Sequence, residues 1–175
     1  MEIKPKITYF MGERYRSMAE AKTAESLHRL GLAYDYEAAA ARGPQYIGGQ
    51  FTPDFFVPEM NMFMEVAGVW DERHRLNSAQ FIRDMSLDGW TGDGCPCPAR
   101  FARVDGDGYV WAVFPDGWTD HAYLSRCTEC GRLIAVSESQ GWACPLCGAY
   151  DGDRYLAFME RNLFDLAGVK RYGGR

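Results

Sequence analysis

Apolar positions recur with two different periods along the chain, and the changes of period mark the predicted elements. Apolar or small residues return at helical spacing over residues 15–31 and again over residues 71–85. Ser17 is followed three residues later by Glu20, the spacing of a capping box, and Gly31 ends the first periodic stretch. The pattern therefore predicts one helix in each of these two segments.

Short apolar runs between and after these helices predict β-strands. The turn-forming segments 58–61 and 105–108 each separate two such runs, which is typical of hairpins, and the Gly/Pro-rich residues 88–98 predict a loop. The predicted strands are residues 32–38, 51–57, 62–66, 101–104 and 109–114. The order helix, three strands, helix, strands predicts an α+β fold, with a mixed central sheet flanked by helices.

Four of the six cysteines follow a metal-site pattern. They form two CxxC pairs with 13 residues between them, and a glycine follows each pair: Cys127, Cys130, Cys144 and Cys147. Four thiolates suit tetrahedral Zn²⁺, and a site filled by four protein ligands is structural. Residues 132–143 predict the two short strands of a zinc ribbon, LIAVS and WA. Cys95 and Cys97 are too close together for such a site and are assigned to a loop.

The length of 175 residues predicts one main domain with a small appendage. Residues 1–120 are the expected core and residues 121–150 the zinc ribbon. Residues 151–175 are expected to carry a C-terminal helix, over residues 153–166, that packs on the core.

The composition is that of an ordinary globular protein, with 47% apolar and 25% charged residues. A net charge of −5 argues against a protein that coats nucleic acid through its bulk charge. No apolar run is long enough to cross a membrane, and no secretory signal is recognised, so a cytoplasmic protein without a membrane partner is expected. The acidic excess lies in residues 34–119, which fits either a solvated surface or carboxylates gathered around a cation.

Two of these acids stand inside strongly apolar strands. Asp54 lies in FTPDFFVP and Glu65 in MNMFMEVAG. Strand residues two apart face the same side, so Glu65 and Ala67 share a face, and a hairpin can place Asp54 beside them. Neighbouring carboxylates repel unless a cation neutralises them, and hard oxygen ligands suit Mg²⁺ or Mn²⁺. The alternative is an Asp54 at the strand edge and a Glu65 that faces solvent.

A series of short motifs occurs in a fixed order around these acids. Arg16 to Glu20 reads RSMAE, the helix ends in Leu-Gly, and the next strand ends in the YDYE of Tyr34 to Glu37. Pro53-Asp54 and Glu65-Val66-Ala67-Gly68 follow. Over roughly residues 14–85 the chain resembles phage and bacterial members of the PD-(D/E)XK nuclease superfamily, which implies a restriction-endonuclease-like core and endonuclease activity in DNA processing.

The resemblance implies a role for each matching residue. Asp54, Glu65 and the backbone carbonyl of Val66 would hold Mg²⁺ or Mn²⁺, and Glu20 would orient a metal-bound water or complete the metal shell. The metal would assist hydrolysis of a DNA phosphodiester by lowering the pKa of that water. The resemblance implies that the DNA would be duplex or branched. Since junction-resolving and nicking members are often dimers, a homodimer is among the forms that the resemblance allows.

The basic residues of the first helix are the candidates for substrate contacts. Arg16 lies one turn before Glu20 and either contacts a phosphate or pairs with Glu20. Lys22 belongs to the same basic N-terminal segment and is a further candidate for a phosphate contact. The alternative for this segment is a solvated helix face.

The chain departs from the superfamily pattern at Ala67, where a lysine is expected. Loss of a positioned acid/base group costs about 10²–10⁴ in rate. Three accounts stay open. The lysine was removed by engineering, which is favoured because both acids are kept; another cation, such as Arg73, His74 or Arg75, took the role; or the protein is a relative that binds nucleic acid without cleaving it. A zinc-ribbon protein whose acidic patch meets protein partners is a further alternative.

Overall fold

The computed structural model describes residues 6–37, 51–87, 100–127, 129–137, 147 and 156–158, and these form an α+β fold. In chain order the elements are β1 (Thr8–Phe10), β2 (Glu13–Tyr15), α1 (Met18–Arg29), β3 (Asp35–Tyr36), β4 (Phe55–Val57), β5 (Met62–Val66), α2 (Glu72–Asp84), β6 (Phe101–Val104), β7 (Val110–Val113), β8 (Thr119–Cys127), β9 (Leu133–Ser137) and β10 (Leu156–Phe158). The predicted class, α+β with a mixed sheet and helices, is confirmed.

Six strands form one mixed sheet in the order β3-β4-β5-β6-β7-β8. Neighbours are antiparallel except β5 and β6, which are parallel, with Glu65 opposite Arg103. Parallel neighbours need a crossover connection, and α2 lies in that connection. Strands β9 and β10 pair with β8, and β1 and β2 form a separate hairpin.

Helix α1 is shorter at its start than the predicted residues 15–31. Tyr15 pairs with Thr8 in the β1–β2 hairpin and is therefore extended. The helix begins after Ser17, whose side-chain oxygen accepts the backbone N–H of Glu20 at 3.1 Å, as the capping spacing predicts. The chain leaves the helix through Gly31, which adopts a φ of 72°.

Helix α2 agrees with its predicted segment to within one residue at each end. Asp71 is its N-cap and accepts the backbone N–H of His74 at 2.9 Å. Phe81 and Ile82, fully buried, hold the helix on the sheet. Leu76, on the same helix, is exposed.

The alternation of side chains in β5 assigns its two faces to the two helices. Met62 and Met64 are buried in the same apolar cluster as Leu27 of α1. Phe63 faces the other side, where its ring centroid lies 5.1 Å from that of Phe81 in α2. Since side chains two residues apart share a face, Glu65 lies on the α2 side of the sheet.

The zinc-ribbon segment contains a strand pairing that was not predicted. The predicted strand LIAVS is present as β9, but its partner is β8, through residues 122–126. Strand β8 was not predicted, because TDHAYLSRC lacks a regular apolar alternation. The predicted partner, residues 142–143, lies outside the described residues, as does the predicted loop over residues 88–98.

The predicted C-terminal helix is wrong at the residues that the structure describes. Leu156–Phe158 form strand β10, with Leu156 opposite Cys127. Hydrogen bonding to β8 therefore decides the conformation there, over local helical spacing. The rest of residues 153–166 lies outside the described residues. Among those that are described, no helix is long and apolar enough to span a membrane.

Candidate active site

Asp54 and Glu65 are brought together by the β4–β5 hairpin. Phe55 pairs with Met64, and continuing this register by one residue places Asp54 directly opposite Glu65. Asp54 is buried, and its Oδ2 accepts the backbone N–H of Val66 at 2.8 Å. The hairpin therefore fixes the position of the Asp54 carboxylate against the strand that carries Glu65.

Glu20 reaches the same place from the first turn of α1. It is buried, and its Oε2 accepts the backbone N–H of Arg16 at 3.1 Å and the hydroxyl proton of Tyr36. The N-cap Ser17 holds the backbone of Glu20, so helix start and carboxylate position are coupled. Glu20, Asp54 and Glu65 thus act on one another electrostatically across three separate elements.

Arg16 is the cation that contacts these carboxylates. Its Nη2 pairs with Oδ1 of Asp54, and its Nε lies 3.2 Å from Glu37 and 3.8 Å from Glu20. Of the two roles considered for Arg16, pairing with Glu20 is therefore present, and contact with a phosphate stays a prediction. Lys22 is not brought to the carboxylates by any contact between described residues, because its Nζ pairs with Glu25 at 3.1 Å.

Burial of this much negative charge shifts the protonation of two of the acids. Burial and then the charge of Glu20 raise the pKa of Asp54 to about 7, although Val66 and Arg16 oppose that shift. Burial and then the charge of Asp54 raise the pKa of Glu65 to about 9. Oε2 of Glu65 is buried without a hydrogen-bond partner among the described residues. A hard divalent cation is the kind of partner that such an oxygen set fits.

Position 67 offers no functional side chain. Ala67 is buried, its N–H donates to the carbonyl of Val104 at 3.0 Å, and its own carbonyl accepts Nε of Arg103 at 3.2 Å. Two of the alternative cations are engaged nearby: His74 with Asp71 at 2.7 Å, and Arg75 with Glu72 at 2.6 Å. Neither makes a described contact with Glu20, Asp54 or Glu65.

Three cysteines form a second cluster at the end of β8. The Sγ atoms of Cys127, Cys130 and Cys147 all lie within 4.8 Å of one another, and those of Cys127 and Cys147 are 3.8 Å apart. Two thiolates about 2.3 Å from one tetrahedral ion are about 3.8 Å apart, whereas disulfide sulfurs are about 2.05 Å apart. The three cysteines can therefore hold a metal ion. Cys144 lies outside the described residues, as do Cys95 and Cys97.

The turn between Cys127 and Cys130 is shaped for this arrangement. The N–H of Gly131 donates to the carbonyl of Cys127 at 2.8 Å, and the N–H of Cys127 donates to the carbonyl of Arg132 at 3.0 Å. Gly131 has a φ of 68°, which a glycine adopts without strain. The backbone thus folds back tightly enough to bring both thiols to one side.

Three residues of the site were missed by the sequence analysis. Tyr36 and Glu37 were noted only as part of a motif, yet they contact Glu20 and Arg16. Strand alternation can select only one of these two neighbours, and Glu37 follows β3 with a φ of 50°, so its position depends on the turn there. Arg103 carried no signal, because its position opposite Glu65 depends on the parallel register of β5 and β6.

Comparison with known proteins gives no assignment. No family model, no curated protein and no solved structure matches the chain. The geometry of its own side chains is therefore the basis for assigning a function to the chain.

The raised pKa of Glu65 predicts a specific pH dependence of stability. A carboxyl group protonated more readily in the folded state stabilises the fold below its unfolded pKa, about 4.3, and that stability is lost as the pH rises through the folded value. Without added Mg²⁺ or Mn²⁺, the free energy of unfolding should fall between about pH 5 and pH 9, and Glu65→Gln should reduce the fall. Urea denaturation across that range measures it.

The matched control is Glu59→Gln, which neutralises an exposed carboxylate in the β4–β5 turn. This variant should keep the pH dependence of the unmodified chain. If the free energy of unfolding of Glu65→Gln changed with pH in parallel with that of the unmodified chain, the raised pKa assigned to Glu65 would be contradicted.

Proposed function

We propose that the chain is a metal-dependent DNA endonuclease of the PD-(D/E)XK type, which hydrolyses phosphodiester bonds. The observation that carries the proposal is the Asp54–Glu65 pair, in which Asp54 and the Oε2 atom of Glu65 are buried. The two carboxyl groups face each other across a hairpin, and one Glu65 oxygen lacks a described partner. Apolar packing does not stabilise two neighbouring carboxylates that are removed from water, whereas a bound divalent cation would stabilise them.

The order of elements is compatible with this proposal without being specific to it. Helix α1 precedes a three-stranded unit, β3 to β5, and α2 then connects β5 to the parallel strand β6. A restriction-endonuclease-like core would have its acids at this hairpin. The same end of the sheet therefore carries the acids of the motifs in residues 14–85 and the contacts made by Glu20, Asp54 and Tyr36.

Asp54, Glu65 and the backbone carbonyl of Val66 would hold Mg²⁺ or Mn²⁺, and Glu20 would orient a water molecule at the edge of that site. The ion, when bound, supplies a water of lowered pKa and charge stabilisation at phosphorus. The chain's own contribution is position: the N–H of Val66 holds one oxygen of Asp54. The hydroxyl of Tyr36 and the N-cap of α1 hold Glu20.

Arg16 would bind the substrate on the open side of the carboxylates. Its side chain is 57% exposed even though its guanidinium reaches the buried Asp54. A phosphate at that edge would be a further anion for a guanidinium that already contacts three carboxylates, and Arg suits phosphate because its donors form a planar fork. Lys22, which lies in α1, would add only its charge.

Ala67 favours a second candidate function, binding of nucleic acid without cleavage. A buried methyl group cannot transfer a proton or neutralise charge in the transition state. If the lysine is naturally absent and no other cation replaces it, the carboxylates would bind a metal and position a nucleic acid only.

Cleavage by the Ala67→Lys variant separates the two functions. With Mg²⁺ or Mn²⁺, this variant should cut supercoiled plasmid or one member of a panel of branched DNAs. The unmodified chain should be about 10²–10⁴ slower, because it lacks the positioned cation. Gel assays of initial rates measure the difference.

Two variants control for charge and for contaminating nuclease. Ala33→Lys adds the same charge at an exposed position and should gain no activity. Adding Glu65→Gln to Ala67→Lys should abolish cutting. If Ala67→Lys folds but cuts none of the DNAs, the endonuclease proposal fails, and salt-dependent DNA binding would then support the second function.

We further propose that the cysteine cluster is a structural zinc site with Cys144 as its fourth ligand. Three Sγ atoms already lie at distances that suit tetrahedral thiolate coordination. The CxxC spacing of Cys144 and Cys147 supplies the remaining sulfur. Such a site would stabilise a segment that is too small to fold on an apolar core alone.

Metal analysis of the purified chain tests this site. One zinc per chain is expected, and Cys130→Ser should lower both the zinc content and the thermal stability, since a structural zinc is coupled to folding. Glu129→Ala, in the same turn, should retain the zinc. Full zinc occupancy in Cys130→Ser and in Cys144→Ser would contradict the proposed ligand set.

A further inference from the structure

A row of polar and aromatic side chains continues from the acids across the α2 face of the sheet. Arg103 in β6 lies opposite Glu65, Trp111 in β7 lies opposite Arg103, and His121 in β8 lies opposite Trp111. Residues paired across neighbouring strands share a face. The row therefore runs Asp54, Glu65, Arg103, Trp111, His121, one residue from each successive strand or its edge.

The neighbouring row on the same face is apolar and is covered by α2. It contains Phe63, Phe101 and Val113, which pack in one cluster with Phe81 and Ile82 of the helix. The polar row lies beyond this cluster, and Arg103, Trp111 and His121 are only partly buried. On this face of the sheet, the side chains of one row therefore pack in the core, and those of the adjacent row are partly accessible to solvent.

Arg103 is held by aromatic rings within this row. Its Cζ lies 5.4 Å from the ring centroid of Trp70 and 5.8 Å from that of Trp111. The ring of His74 stacks on that of Trp70 with centroids 5.7 Å apart, and the ring of His121 lies tilted against that of Trp111 with centroids 3.7 Å apart. The two Trp rings attract the guanidinium of Arg103 and restrict its orientation, so less entropy is lost when it binds a ligand.

The guanidinium keeps donors for an external anion. Nε donates to the carbonyl of Ala67, and neither Nη atom has a hydrogen-bond partner among the described residues. No described carboxylate forms a salt bridge with Arg103. Asp105 is near enough to act on its charge, but the two oxygens of Asp105 already accept from Asp107, Tyr109 and Trp111.

We propose that Arg103 is a phosphate-binding residue, which holds the DNA phosphate next to the one at the Asp54–Glu65 site. Arg103 lies opposite Glu65 on the adjacent strand, and adjacent strands are about 4.8 Å apart. It is therefore a cation close to the acids, where the side chain of Ala67 supplies none. Its two Nη groups suit paired phosphate oxygens. The assignment rests on the proposed function, because it names a substrate contact of the same site.

Fluorescence anisotropy with labelled DNA tests the assignment without cleavage. A 20-nucleotide single strand and its duplex are titrated with protein in buffer lacking Mg²⁺ and Mn²⁺, at several KCl concentrations. Arg103→Ala should raise the Kd about tenfold and reduce the salt slope by about one. Arg103→Lys should keep most of the salt slope and still bind less tightly, because it retains the charge and loses the planar fork.

The matched control is Arg100→Ala, which removes an arginine three residues earlier, where Nη2 donates to the carbonyl of Ser86. Its Kd should stay within about twofold of the unmodified value, as expected outside the contact surface. Circular dichroism checks the fold of each variant. If Arg103→Ala should not fold, Arg103→Lys decides the result through its Kd.

The outcomes separate this proposal from the endonuclease proposal. If Arg103→Ala and Arg103→Lys bind DNA as the unmodified chain does, or if the unmodified chain binds neither DNA, the assignment of Arg103 is overturned. If binding depends on Arg103 but Ala67→Lys does not cleave, the assignment stands and the endonuclease proposal fails. Stabilisation by inorganic phosphate that depends on Arg103, without DNA binding, would indicate a free phosphate ligand and overturn the DNA contact.

Discussion

The arrangement depends on the free energy of keeping the buried Asp54 opposite the partly buried Glu65. Two carboxyl groups in a region of low dielectric repel, and each loses its hydration. The chain offsets part of this cost through the N–H of Val66 and the guanidinium of Arg16, and part through protonation, which the raised pKa values express. One arginine against several acids leaves an excess of negative charge, which a divalent cation would neutralise.

Strands β4 and β5, which place the two acids opposite each other, also supply side chains to the apolar core. Alternate residues of β5 enter two apolar clusters, one under α1 and one under α2, so the strand is held from both sides. At the end of the strand Glu65 faces the same side as Phe63, beyond the reach of the apolar cluster. The polar row from Arg103 to His121 continues from the carboxylates across the sheet.

Patterns of residues close in sequence predicted the helices and strands better than they predicted the contacts between those elements. The cap at Ser17, the β4–β5 turn and both helices were readable, because each depends on residues close in sequence. The pairing of Glu65 with Arg103 could not be predicted in this way, since the parallel strands β5 and β6 are joined by a long crossover rather than by a turn. The strand at Leu156–Phe158 in place of a helix likewise depends on non-local hydrogen bonds with β8. The β8–β9 hairpin is local, but it was missed because the β8 sequence lacks a regular apolar alternation. The proximity of Asp54 and Glu65 could be predicted because one hairpin joins them.

Binding of Mn²⁺, followed by the loss of its free signal in electron paramagnetic resonance, tests the central claim most directly. The unmodified chain, loaded with zinc, should bind at least one Mn²⁺, and both Asp54→Asn and Glu65→Gln should weaken that binding at least about tenfold, since each removes a charged ligand. Glu59→Gln should bind as the unmodified chain does. Equal Mn²⁺ binding by the folded Asp54→Asn and Glu65→Gln variants, or no binding by the unmodified chain, would contradict a divalent-cation site at these carboxylates.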